Sequence, residues 1–296
     1  MATAIVTGAS GYIGLHVVRN LLAQGWTVNA IIREGSNIPG NHESESNLDI
    51  FQYDGKIESL IEYFQCINAD VTMHLAAAVI TNPKPHQISD IIDANIKFGT
   101  EVLEAMTKSS TRLFISTGTY WQNYDGTDQY NPVDLYSASK EAFEKIITYY
   151  VEAHEIRHIN LRLFDVYGAD DVRPKLWNLL KRISYTGEEL NISAGEQLMD
   201  MVYIDDVVSA YLKAFELFQS KPLLKNEIYN VSSSSLMKLK DIVLLYESLL
   251  KKKLNLNWGR RPYRQREVMV PNNTYPILPN WEPKVDIKSG LTRLAQ

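Results

Sequence analysis

The chain has 296 residues, 45% of them hydrophobic, and a formal net charge of -5. That suffices for one large core or two unequal ones and is too mildly acidic to invite nucleic acid or an anionic membrane. One cysteine, Cys66, excludes an intramolecular disulfide, and no apolar run reaches the roughly 20 residues of a membrane span, so a soluble cytoplasmic protein without a signal peptide is expected.

In chain order, short apolar runs alternate with longer helical patterns. TAIVT (3–7), TVNAIIR (27–33), LDIFQY (48–53), VTMHLA (71–76), RLFIST (112–117) and INLRLF (159–164) read as buried strands. Between them, GYIGLHVVRNLLAQG, IESLIEYFQ, ISDIIDANIKFGTEVLEAMTK and YSASKEAFEKIITYYVEA carry apolar residues at helical spacing. Cys66, beside the second of these helices, is expected to be a buried bystander. Strand then helix, repeated, predicts an α/β fold: a doubly wound parallel sheet with helices on both faces. After residue 166 the alternation fades into helices near 174–186, 204–218 and 239–251, a strand EIYNV, and a tail bearing Pro and Trp. This part reads as a smaller C-terminal domain built onto the C-terminal ends of the strands, where open sheets bind ligands.

The first strand runs into AIVTGASGYIG (4–14), with Gly8, Gly11 and Gly14 ahead of the first helix. Glycine there allows a tight turn, close approach of backbone to a pyrophosphate, and close helix–strand packing. The helix N-terminus offers unpaired N–H groups to the phosphates. The turn therefore predicts dinucleotide binding by Gly8, Ser10, Gly11, Tyr12, Ile13 and Gly14. The second strand ends in Arg33 and then Glu34. An arginine suits a 2′-phosphate and an acid suits the ribose hydroxyls, so Arg33 favours NADP(H) while Glu34 keeps NAD(H) as the alternative. Asp54, after the third strand, faces the adenine amine or closes a turn before Gly55.

DLYSASKEAFEKI places Tyr136 and Lys140 four apart at a helix start, on one face. A lysine beside a phenol favours the phenolate and makes tyrosine a usable acid/base near neutral pH. Upstream, FISTGTYW ends the fifth strand with hydroxyls at Ser116, Thr117 and Thr119.

On these residues the sequence resembles the extended short-chain dehydrogenase/reductase superfamily, in its nucleotide-sugar epimerase, dehydratase and ketoreductase branch. TGASGYIG, HLAAAV (74–79), DANIKFGTEVLEA (93–105), YSASK, LRLFDVYGADD (161–171), MVYIDDVVSAY (201–211), IYNVSS (228–233) and NWEPKVDIKSGL (280–291) carry the resemblance over nearly the whole chain. It implies a Rossmann-type cofactor domain over 1–166 and 201–232, and a nucleotide-sugar-binding α/β domain over 167–200 and 233–296. Tyr136 would be the catalytic acid/base, and Lys140 would hold the nicotinamide ribose. Thr117, or Thr119 close behind, would bond the reacting oxygen. Leu75, Ala76 and Ala77 would border the cofactor, and Asn95 would be structural. A homodimer through the helices near 87–108 and 136–154 is implied as well.

Departures from the branch narrow the expectation. Dehydratases carry an Asp-Glu pair after the strand-end threonine, where this chain has Gly118 and Thr119. Asp165 stands where asparagine usually donates to the nucleotide diphosphate, and Met199 where an arginine is usual. Replacement donors are sought in Arg173 and Lys175, and in the basic loop of Arg260, Arg261, Arg264 and Arg266, with Arg264 and Arg266 preferred because guanidinium groups match phosphate geometry. Thr119 and Tyr120 would complete the substrate contacts, with Trp121, Tyr124 and Trp177 either lining a sugar pocket or packing in the core. The chain is most similar to short ketoreductases of the CDP-abequose and CDP-paratose synthase type. That implies NADPH-dependent reduction at C4 of a CDP-, dTDP- or GDP-linked 4-keto-6-deoxy or 3,6-dideoxy hexose in deoxysugar and O-antigen synthesis. An NAD-dependent 4-epimerase and a non-catalytic nucleotide sensor are the alternatives; no metal is implied.

Overall fold

The structure, a computed structural model, describes residues 1–39, 46–127, 129–271 and 274–295. The first part of the chain contributes β1 (Thr3–Thr7), α1 (Tyr12–Ala23), β2 (Thr27–Arg33), β3 (Leu48–Tyr53), α2 (Ile57–Cys66), β4 (Val71–His74), α3 (Ile88–Ile92), α4 (Phe98–Thr107), β5 (Leu113–Thr119), α5 (Leu135–His154) and β6 (Arg157–Leu163). There follow β7 (Asp165–Tyr167), α6 (Leu176–Thr186), β8 (Leu190–Ile192), β9 (Leu198–Tyr203), α7 (Ile204–Ser220), β10 (Asn226–Val231), β11 (Leu236–Lys238), α8 (Leu239–Leu250), β12 (Leu256–Trp258) and α9 (Ile287–Ala295).

Seven strands form one sheet in the order β3-β2-β1-β4-β5-β6-β10, and every pairing in it is parallel. The order runs outward from β1 and β4, so the loops leaving these two strands diverge and open a crevice at their C-terminal ends. Alternate side chains feed two cores. Ala4 and Val6 of β1 join the cluster under α1 and α7, while Ile5 joins Leu60, Phe114, Phe143 and Ile147 on the side of α2, α4 and α5. β1, β2, β4, β5 and β6 are buried as expected and β10 is the expected strand, whereas β3, also expected to be buried, is the edge strand of the sheet and has no buried residue. No helix among the described residues is long and apolar enough to cross a membrane.

Differences from the expectation have local causes. The helix expected over 88–108 is interrupted by a π-helical turn, Asp93–Lys97. There Asn95 turns inward, accepting the Ala78 N–H (2.7 Å) and donating to Ala78 O and Ser139 Oγ, so its structural role holds. Cys66 is exposed at the end of α2, not buried: the apolar face of that helix is carried by Leu60 and Phe64. The three-residue strands β7, β8, β11 and β12 and the terminal helix α9 gave no pattern long enough to read. Because β9 pairs with β7 and β11 in a small sheet, the expected boundary at residue 201 falls inside one strand.

Candidate active site

The glycine turn after β1 is pressed against the loop after β4. Gly8 has φ +68°, and a Cβ there would lie 2.6 Å from Ala76 N; a Cβ on Gly14 would collide with Gly8 O. Gly11 is the N-cap of α1 and donates its N–H to Gly8 O at 2.9 Å. With no capping side chain in the way, the first N–H groups of α1, at Tyr12, Ile13 and Gly14 beside Ser10, are available to an anion. Leu75, Ala76 and Ala77 are half-buried alongside. Arg33 and Glu34 are both exposed at the end of β2. Asp54 follows its second reading: it closes the turn before α2, accepting the Lys56 N–H and the Ser59 hydroxyl. The Ser59 bond holds its carboxyl below the usual range.

Tyr136 and Lys140 stand on the first turns of α5. The helix starts there because Asp134 accepts the Ser137 N–H while the Ser137 hydroxyl receives the Asp134 N–H. Tyr136 is 8% exposed and Lys140 is 3% exposed. Neither the phenol nor the ammonium has a hydrogen-bond or ion-pair partner among the described residues. Burial pushes the Tyr136 phenol up, with Asp134 adding to the rise and Arg173 opposing it. Burial pushes Lys140 down to about 8, against an opposing pull from Glu144.

Thr117 and Thr119 lie on one face of β5, two residues apart. Thr117 Oγ1 donates to His74 O (3.0 Å) and accepts from the Tyr211 hydroxyl. Thr119 Oγ1 accepts the Trp121 N–H, and its own N–H is held by Gln122 Oε1.

Beyond them, polar side chains gather around Asp165 at the start of β7. Tyr120, stacked on Phe164, donates its hydroxyl to Asp165 at 2.9 Å. Burial pushes the Asp165 carboxyl up to about 6, with Lys175 pulling the other way. Lys175, lowered by burial and then by Arg173, forms no ion pair or hydrogen bond through its ammonium with the described residues. The expected arginines divide in two. Arg264 lies over the Trp121 ring at 5.2 Å and uses no N–H of its guanidinium on the described residues. Arg266 stacks on Tyr124 and donates to Pro132 O and Asn131 Oδ1, so it fastens the loop before α5. Arg173 is likewise engaged, twice bonded to Asp171 and 4.3 Å over the Tyr12 ring. Trp177 packs between Tyr167 and Tyr246 in the core, and Met199 lines a separate cavity of about 220 Å³.

A nicotinamide dinucleotide fits this site: the glycine turn ends at the uncapped N-terminus of α1, whose N–H groups can receive a pyrophosphate, and Lys140 is a buried cation without a hydrogen-bond or ion-pair partner among the described residues. The model of the NAD dependent epimerase/dehydratase family matches residues 4–232. The chain belongs to that family. Among relatives of this epimerase/dehydratase family member, CDP-abequose synthase of Salmonella typhimurium is 29% identical over 296 residues, covering 98% of this chain and 96% of its own. CDP-abequose synthase of Yersinia pseudotuberculosis is 27% identical, covering 92% of each chain. The fold matches UDP-glucose 4-epimerase of Thermotoga maritima, solved with UDP-glucose, at a TM-score of 0.85 and 22% identity over 99% of this chain and 97% of that one. It also matches UDP-glucuronic acid 4-epimerase of Bacillus cereus, solved with UDP-glucuronic acid and NAD, at 0.82 and 23% over 99% and 98%.

Sequence reasoning missed four polar residues packed behind this family member's candidate site: Tyr211, Gln122, Glu144 and Arg162. The available signal was negative. A tyrosine on the apolar face of α7, or an arginine in a core strand, needs a polar partner once buried.

Proposed function

We propose that the protein is an NADPH-dependent ketoreductase acting at C4 of a nucleotide-linked 4-keto-6-deoxy or 3,6-dideoxy hexose. The observation that carries this reading is the buried Tyr136–Lys140 pair, whose phenol and ammonium have no partner among the described residues, beside a strand end that offers hydroxyls and no acid pair. Gly118 and Thr119 supply neither the acid nor the base that removal of water needs. The full-length similarity to relatives named CDP-abequose synthase supports a CDP-linked sugar.

The dinucleotide, when bound, supplies the hydride. Gly8 to Gly14 and the N-terminus of α1 hold its pyrophosphate, and Lys140 its ribose. Tyr136 gives its proton to the carbonyl oxygen as that oxygen gains charge, while a hydroxyl from Thr117 or Thr119 steadies it. Arg264 and Lys175, neither of which spends its charged end on the described residues, receive the diphosphate. Arg33 receives the 2′-phosphate.

The test is NADPH oxidation, followed at 340 nm, with a CDP-linked 4-keto-3,6-dideoxyhexose, in wild type and Tyr136→Phe. Turnover that disappears in the variant while NADPH still binds is the expected result; turnover retained by the variant removes Tyr136 from its role. A 4-epimerase is the second reading, favoured by Glu34 next to Arg33 and by the NAD held in the Bacillus cereus structure. Tightly co-purifying NAD and interconversion of nucleotide hexoses would select it. Tight cofactor binding with no turnover of any such ketone would select a nucleotide sensor.

A further inference from the structure

The two hydroxyls at the end of β5 differ in what is left of them. Thr117 spends its proton on His74 O and takes the Tyr211 hydroxyl on its oxygen. Thr119 Oγ1 accepts the Trp121 N–H at 3.3 Å and donates to none of the described residues. A hydroxyl carries one proton, so the uncommitted one at this strand end belongs to Thr119, which keeps 8% of its surface exposed.

Gln122 holds that residue in place from the short turn Tyr120–Gln122 behind the strand. It is fully buried. Its Oε1 accepts the Thr119 N–H at 3.0 Å, and its Nε2 donates to Glu141 Oε2 at 2.7 Å and to Glu144 Oε1 at 2.8 Å. The amide fits only this way round, because a peptide N–H donates and a carboxylate accepts. Both glutamates stand on α5, the helix that carries Tyr136 in its first turn. Arg162 of β6 meets the same two carboxylates at 3.5 and 3.1 Å and donates to Asn123 Oδ1 at 2.6 Å. Two adjacent residues, Gln122 and Asn123, therefore fasten the turn to the helix. A Cβ on Gly118 would meet Gln122 Oε1 at 3.1 Å, so the amide is also packed against the strand between the two threonines.

We infer that Thr119, in preference to Thr117, donates the hydrogen bond to the reacting carbonyl oxygen, and that Gln122 is the positioning residue that sets this hydroxyl relative to the Tyr136 phenol. A donor stabilises developing charge best when it is already in place and nothing has to reorganise. Thr117 must break its bond to His74 O before it can donate to a substrate, whereas Thr119 has its proton to spare. The tie from Thr119 through Gln122 to α5 runs through a close-packed interior, which keeps the strand end and Tyr136 at one separation.

This rests on the reading of the protein as a reductase of a sugar ketone. The experiment follows NADPH oxidation with a CDP-linked 4-keto-3,6-dideoxyhexose in wild type, Thr117→Val, Thr119→Val, Thr119→Ser, Gln122→Met, and Thr119→Val combined with Gln122→Met. Thr119→Val lowers kcat about hundredfold and Thr117→Val about tenfold, while Thr119→Ser, which keeps the hydroxyl, retains most of the rate. Gln122→Met keeps the volume and loses the bonds: kcat falls about tenfold with KM for NADPH unchanged, and adding it to Thr119→Val costs nothing more. Hydrogen exchange at the Thr119 amide is faster in Gln122→Met than in wild type, with the amides of β6 unchanged. Thr119→Val no slower than Thr117→Val, or Thr119→Ser as slow as Thr119→Val, overturns the role of Thr119. Additive losses in the combined variant, or a Thr119 amide equally protected without Gln122, overturn that of Gln122. Should Gln122→Met not fold, the wild-type amide decides: rapid exchange at Thr119 overturns the tie. Wild type without turnover of any nucleotide-linked ketone overturns the functional reading itself, and the role of Thr119 with it.

Discussion

The Tyr211 hydroxyl, fully buried on α7, donates to Thr117 Oγ1, while the Thr117 hydroxyl donates onward to His74 O. Thr117 is thereby fixed between α7 and the end of β4 with its one proton on His74 O, a bond it must give up to donate to a substrate oxygen. Tyr211→Phe removes the outer half of this chain and should lower kcat about tenfold, the worth of one buried hydrogen bond, with KM for NADPH unchanged. Thr117→Val removes both halves, so adding Tyr211→Phe to it should cost nothing more. Additive losses would mean that Tyr211 acts elsewhere. Comparing Thr117→Val with Thr119→Val identifies the hydroxyl that steadies the substrate oxygen as the one whose loss reduces kcat more.

The two arginines of the basic loop should respond differently. Arg264 has its guanidinium N–H groups unused, and Arg264→Ala is expected to weaken CDP binding about ten- to hundredfold with NADPH affinity preserved. Arg266 fastens residues 131 and 132, so Arg266→Ala should instead lower Tm and disturb the start of α5. Calorimetry with CDP, paired with thermal melts, separates the two; equal effects would refute the division.

Asp165 carries a pH dependence whose sign is determined by burial. Its carboxyl is held up to about 6, above the ordinary carboxylate value, so its contribution to stability is present at low pH and lost as pH rises through 6. Asp165→Asn should therefore raise Tm at pH 8 and leave it unchanged at pH 3. The same change removes a negative charge beside Lys175 and Arg264, and CDP should bind several-fold tighter at pH 8 with little gain at pH 5. Tighter binding of equal size at both pH values would disprove the electrostatic account.

Gly14→Ala drives a methyl group into the Gly8 carbonyl. A rigid turn between strand and helix has no side chain to move aside, and roughly 1–3 kcal/mol of destabilisation is expected, with NADPH binding lost. Denaturant melts and calorimetry check this, and an unaltered Kd would show that the turn yields.

What could be read in the chain was what recurs or is spelled by glycine. The buried strands are short segments of four to seven residues rich in apolar positions, and Gly8 and Gly14 announce a place where backbone must pass backbone closely. Tyr136 and Lys140 were legible because both stand on one helix, four apart. The division of labour between Arg264 and Arg266 was not, since it depends on which of them meets Pro132 across a loop 134 residues away in sequence. Tyr211 and Thr117 are 94 residues apart, and nothing local in either segment names the other. Cys66 deceived because a short apolar helix has one buried side, and its phase relative to the sheet is decided by the fold.

The Arg173 guanidinium lying over the Tyr12 ring also bears on time. The loop after β7 thus rests on Tyr12, the first residue of α1 after the glycine turn, so a dinucleotide bound at that turn would lie against the residue that carries the loop. The expectation is a compulsory order of arrival, dinucleotide first and sugar second, with release in reverse. Product-inhibition patterns read such an order directly: oxidised dinucleotide should compete with NADPH alone, and replacing Tyr12 by alanine should let the two ligands enter at random.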